Sequence, residues 1–174
     1  VAGSADKAVE LMNSRAKMLG MNGTIYTNCT GMGEGNVTTA KDTALLCSEL
    51  AKYKNLTPYL TCWLDTVRDG KAELVNLNRL VRTYKGVTGM KAWGSEKAGS
   101  CIAATAEKGD MSVCVVLNGC DSQEDMNAEA KKLLNLAFDT YEIYTPELPE
   151  DMVNETVVCG GEELSVELAP EGLY

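Results

Sequence analysis

The chain has 174 residues, 45% of them hydrophobic, with 16 basic against 25 acidic side chains and a formal net charge of -9. That length supports one ordinary core with at most a small appendage, and that charge argues against docking on nucleic acid or an anionic membrane, either of which would repel it. Histidine is absent, which excludes Ser-His-Asp and Cys-His catalysis and leaves acid–base work to Lys, Tyr, Asp and Glu.

No apolar run approaches the length of a membrane-spanning helix, and no cationic-then-apolar signal segment is present. The chain opens at Val1 rather than Met, which reads as a processed product or a fragment. Seven cysteines, none in a CxxC pair, argue against a zinc site; their apolar surroundings predict buried free thiols with at most one disulfide. No cofactor motif is present. Five Asn-x-Thr sequons begin at Asn22, Asn28, Asn36, Asn55 and Asn154, and they carry meaning only in a eukaryotic secreted protein.

In chain order, a first helix is predicted over Ser4–Leu19, with Ser4 as N-cap, a stripe of Val9, Met12, Ala16 and Leu19, and Gly20 as stop. The glycine-rich stretch Met21–Asn36 reads as turns. A second helix over Thr39–Tyr53 opens with the box-like cap Thr39-x-x-Asp42 and is expected to bury Leu45, Leu46 and Leu50. Asn55-Leu-Thr-Pro58 restarts a short helix to about Cys62.

The period then changes. Asp65–Arg68 and Ala72–Leu77 read as a hairpin around Asp69-Gly70, followed by strands over Gly89–Gly94, Ser100–Glu107 and Met111–Leu117. Lys108-Gly-Asp110 makes the last two antiparallel. Ser122 caps a long helix to about Tyr144, with Met126, Ala130, Leu133, Leu134, Ala137, Phe138 and Tyr141 on one face. Tyr144–Pro149 has linker composition, and Thr156–Cys159 with Glu163–Leu168 read as two strands opening a β-rich unit. The fold class is therefore α+β, helices packed on an antiparallel sheet, with one domain over residues 1–144 and a linker plus the start of a second over 145–174.

Several stretches, in order and spacing, resemble the serine-type D-alanyl-D-alanine carboxypeptidases of the penicillin-binding family. They are Ala5–Met21 (ADKAVELMNSRAKMLGM), Asn28–Leu46 (NCTGMGEGNVTTAKDTALL), Leu74–Lys91 (LVNLNRLVRTYKGVTGMK), Ala98–Val116 and the closing Glu129–Tyr141. The resemblance implies a β-lactamase/transpeptidase-like fold and three motifs: Ser-x-x-Lys for the nucleophile and its activating lysine, Ser-x-Asn, and Lys-Thr/Ser-Gly on a strand edge for the substrate carboxylate. It also implies a stem-peptide or β-lactam ligand and a place outside the bacterial membrane.

Only the third motif has a counterpart here. Lys91 stands at the family lysine, with Gly89 before it and Ala98-Gly99 after it, but Ala92 and Trp93 replace Thr/Ser and Gly. Ala92 cannot donate a hydroxyl, and Trp93 brings bulk where glycine allows close approach; Gly94 and Ser95 offer at most a partial substitute. Ser4-Ala-Asp-Lys7 and Ser14-Arg-Ala-Lys17 spell Ser-x-x-Lys, but they read as a helix cap and a polar face and fall after the point where the nucleophile belongs.

Asn76 and Asn78, alternating on a strand, are candidates for lining the cleft beside Lys91, with turn or sheet-end roles open. Arg82 reads as a solvated arginine or a partner for an anionic peptide, Asp42 as a helix-start residue, and Glu96 and Lys97 as a solvated turn. The expectation is part of a carboxypeptidase, inactive without an N-terminal segment supplied in cis or in trans. The alternative is a degenerate, non-catalytic relative that binds peptidoglycan or a partner. A class A β-lactamase ranks below both, for want of its deacylating-glutamate region. Without a covering segment the fold would expose apolar surface, which leaves self-association open as well.

Overall fold

A computed structural model describes residues 2–146, 154–157 and 165–168. The chain divides into two compact units, Val1–Glu142 and Ile143–Tyr174.

In the first unit, α1 (Ala5–Met18) starts where Ser4 Oγ accepts from the Lys7 amide at 3.1 Å. Helix α2 (Ala40–Ala51) starts the same way, with Thr39 Oγ1 accepting from the Asp42 amide at 3.1 Å. It ends two residues before the predicted Tyr53, and Leu45 proves exposed while Cys47 is buried. A 3-10 turn (Lys54–Leu56) leads into α3 (Thr57–Leu60), with Pro58 early in the helix, where its missing N–H costs nothing.

Strands β1 (Leu64–Val67) and β2 (Ala72–Val75) pair antiparallel, Leu64 opposite Val75 and Val67 opposite Ala72. The predicted second strand of this hairpin ran to Leu77, but pairing stops at Val75. A one-turn helix α4 (Leu80–Thr83), with no side-chain cap, has no counterpart among the elements expected from the sequence.

The centre is the sheet β3 (Val87–Ser95), β4 (Gly99–Lys108), β5 (Met111–Cys120), in that spatial order and antiparallel throughout. Lys91 lies opposite Ala103, and Ala104 opposite Val115. All of Cys101–Ala106 is buried, because both sheet faces are covered and a strand covered on both sides reads as an unbroken apolar run. One face carries Ala92, Ile102, Ala104, Ala106 and Val115 against Met126, Ala130 and Leu134 of α5 (Gln123–Thr140) and Leu80 of α4. The other cluster joins Met90 and Ala103 to Cys47 of α2, with Trp93, Leu60, Cys114 and Val116 packed around it.

Helix α5 is capped by Ser122 as predicted but ends at Thr140, not Tyr144, and Leu133 and Tyr141 of its predicted apolar face are exposed. Fully burying a side chain such as Leu134 or Ile102 stabilises the fold by about 1.5–3 kcal/mol. In the second unit, β6 (Asn154–Val157) pairs antiparallel with β7 (Ser165–Leu168). Of the strands predicted there, Val158, Cys159, Glu163 and Leu164 lie outside the described residues.

Candidate functional site

Strand β3 is the outer strand of the central sheet, so one of its edges has no strand partner among the described residues. Such an edge presents unpaired N–H and C=O groups that can accept an extended peptide as a further strand. Lys91 sits mid-strand and exposed, between buried Met90 and Ala92. Among the described residues no carboxylate lies within 4 Å of its ammonium.

The two glycines that bracket Lys91 are fixed by space. At Gly89 a Cβ would stand 3.1 Å from Leu60 Cβ, where β3 passes α3, and its φ of +155 suits glycine. At Gly99 (φ +68) a Cβ would meet the Cys120 carbonyl at 2.9 Å. Gly89 thus lets β3 pass close to α3, and Gly99 lets β4 pass close to β5.

The two residues after Lys91 face packing. Ala92 belongs to the core cluster under α5, and Trp93 is half-buried against the cluster that contains Cys47. Ser95 Oγ accepts from the Ala98 amide at 3.1 Å and so closes the β3–β4 turn. Cys114 packs beside Cys47, and their hydrogen bond, with burial, pushes the Cys114 thiol far above its ordinary value.

Asn76 and Asn78 are not on a strand; they follow β2 in an irregular stretch, so the shared-face argument fails for both. Asn76 Nδ2 donates to the Cys62 carbonyl at 3.0 Å and the Leu60 carbonyl at 3.3 Å, while its Oδ1 accepts from the Asn78 amide at 3.0 Å. Asn78, fully buried, donates from Nδ2 to the Gly89 carbonyl at 3.3 Å and accepts from the Leu80 amide at 3.1 Å. Together they tie α3, α4 and β3 into one frame. Asn78 is sealed from solvent.

Asp42 is the helix-start residue its position predicted, with a second task. Its buried carboxylate accepts from Thr24 Oγ1 at 2.7 Å and from the Gly23 amide at 2.8 Å, pinning the glycine-rich loop to α2. The Thr24 hydroxyl, then the Gly23 amide and Thr39, hold its pKa below the usual carboxylate range against the opposing effect of burial. The same loop is fastened by side chains that sequence reasoning passed over. Asn13 exchanges two hydrogen bonds with the Tyr26 backbone (2.7 and 2.8 Å), and Asn36 Oδ1 accepts from the Thr27 amide at 2.7 Å.

Neither Ser-x-x-Lys look-alike forms a catalytic pair. Ser4 is spent on its cap, Lys7 pairs with Glu10, and Ser14 and Lys17 are exposed on α1. Lys97 meets Glu34 at 3.3 Å with both side chains in solvent, a pair worth little. Arg82 is not simply solvated: its guanidinium lies 4.8 Å from the centroid of the Trp63 ring. Among the described residues no three metal-ligating side chains converge, and no helix is long and apolar enough to cross a membrane.

Residues 1–121 match the sequence model of the peptidase S11 family, D-alanyl-D-alanine carboxypeptidase. The chain is 35% identical over 172 residues to D-alanyl-D-alanine carboxypeptidase DacF of Bacillus subtilis, covering 97% of itself and 44% of that protein. It is 31% identical over 170 residues to DacC of Escherichia coli, covering 97% and 42%. In structure it is similar to the cefotaxime-bound penicillin-binding protein D2 of Listeria monocytogenes, at 28% identity and a TM-score of 0.68 over 75% of this chain and 54% of that one. It also overlays penicillin binding protein 5 of Haemophilus influenzae with a TM-score of 0.81 over 96% and 49%; at 23% identity that likeness speaks for the fold alone. The chain thus spans about half or less of the length of these relatives.

Proposed function

The chain belongs to the D-alanyl-D-alanine carboxypeptidase family, and from that premise we propose that it forms the lysine-bearing wall of a serine acyl-transfer site that removes the terminal D-alanine of peptidoglycan stem peptides. The observation that carries this reading is Lys91: an exposed cation on a strand edge unpaired among the described residues, between glycines held by close packing against α3 and β5. A peptide ending in D-Ala-D-Ala would add to β3 as a strand, its carboxylate drawn to Lys91. A serine would attack the penultimate carbonyl, D-alanine would leave as the amine, and water would then release the acyl group as a carboxylate. A β-lactam would be trapped at the same serine. Nothing in this sequence requires a cofactor, and the place of action is the cell envelope outside the cytoplasm.

The serine, its activating lysine and the Ser-x-Asn pair come from outside these 174 residues, in cis or in trans. The chain by itself therefore releases no D-alanine from a D-Ala-D-Ala peptide. Supplying a segment with those motifs restores release, and Lys91→Ala then lowers it by about 10²-fold, the usual cost of one preorganised electrostatic partner. Steady release of D-alanine by the purified chain would refute the proposal.

A second reading rests on Ala92 and Trp93. With a buried methyl and an indole where the family has a hydroxyl and glycine, the site would bind without turning over. Saturable binding of a stem peptide, with no release even when the serine segment is present, would decide for that reading.

A further inference from the structure

Away from β3, the chain forms an open depression of about 510 Å³, walled by Trp63, Val75, Leu77, Arg79, Arg82 and Gln123 with neighbours. That volume lies in the range of small-ligand sites, about 300–1,000 Å³. In a protein of net charge -9, no Asp or Glu lines it. Among the described residues neither guanidinium is in an ion pair. Arg82 is held over the Trp63 indole, 4.8 Å from its centroid, which restrains the guanidinium without neutralising it. A planar fork of N–H donors suits a carboxylate, and the Trp63, Val75 and Leu77 wall suits an apolar body or a sugar face behind that carboxylate.

We propose that this depression binds an organic carboxylate of peptide or amino-sugar size, gripped by Arg79 and Arg82 and seated against Trp63, Val75 and Leu77. None of its lining residues lies on β3, and the proposal does not depend on the acyl-transfer reading.

The chain has two tryptophans, Trp63 and Trp93, so Trp93→Phe leaves Trp63 as the only reporter. The test is a fluorescence titration of that variant with N-acetylmuramic acid and, separately, with N-acetyl-D-glutamate. N-acetylglucosamine and inorganic phosphate serve as the carboxylate-free and body-free controls. At least one carboxylate should give a saturating change, weakened about tenfold or more when Arg79→Gln and Arg82→Gln are combined. Arg82→Lys, which keeps charge and loses the fork, should fall between. Response to the muramic acid alone assigns an amino-sugar ligand, and response to the glutamate alone a peptide one. An unchanged melting temperature shows that the arginine variants are folded, as their exposed positions lead one to expect. A linear response, equal saturation in the double variant, or equal affinity for phosphate overturns the site. Loss of binding in Lys91→Ala with none in the arginine variants would also overturn it, while leaving the Lys91 proposal standing.

Discussion

Strands β4 and β3 are neighbours in one sheet and answer to different constraints. In β4 the run Cys101–Ala106 is buried from end to end, squeezed between α5 and α2, with Thr105 as its one polar side chain, accepting from the Thr88 hydroxyl at 2.8 Å. In β3 packing claims Met90 and Ala92, yet leaves Lys91 in solvent between them. Burial and exposure thus alternate from Met90 to Ala92 along β3. Along such a strand a core residue and a solvated one are immediate neighbours, as Ala92 and Lys91 are.

The contrast breaks most visibly by deletion in the core. Leu134→Ala, removing a fully buried side chain from the α5 face, should cost about 2–5 kcal/mol of unfolding free energy by urea denaturation. A loss below about 1 kcal/mol would mean that the α5 face is not the packed core described.

Ala92→Thr sharpens the comparison at the boundary itself. A hydroxyl and a methyl forced in beside Leu80, Ile102 and Met126 should destabilise by about 1–3 kcal/mol. A neutral outcome would place residue 92 toward the cleft and make the missing hydroxyl a purely chemical loss.

Much of this contrast was legible in the sequence. The caps at Ser4, Thr39 and Ser122 and the Lys108-Gly-Asp110 turn state their structure locally, because each is a side-chain hydrogen bond or a turn made within four residues. Asn76 and Asn78 misled because an Asn-x-Asn alternation looks the same on a strand and in a loop where both amides serve backbone groups. Those partners, Leu60, Cys62 and Gly89, are distant in sequence. Helix α4 escaped for want of a cap or a periodic stripe. The stacking of Arg82 on Trp63 depends on how the β1–β2 hairpin folds back, which no local pattern encodes.

Acid should separate the two halves of the first unit. The Asp42 carboxylate is more acidic folded than unfolded, so its contribution is complete above the unfolded value of about 3.9 and is lost as pH falls through the lower folded value. Thermal melts below about pH 4 should therefore fall more steeply for the native chain than for Asp42→Asn, which is less stable at pH 7 and flatter in acid. Parallel curves would show that Asp42 does not carry the loop. The smallest effect belongs to Lys91→Ala. Exposed and unpaired among the described residues, it should change stability by no more than about 0.5 kcal/mol; a larger loss would make Lys91 part of the packing.

The most direct measurement is the intact mass of the purified chain after incubation with a penicillin. The account predicts an unchanged mass, because, as proposed, the serine nucleophile comes from outside these 174 residues. A penicilloyl adduct mapping to Ser4, Ser14 or any other serine of the chain would contradict it.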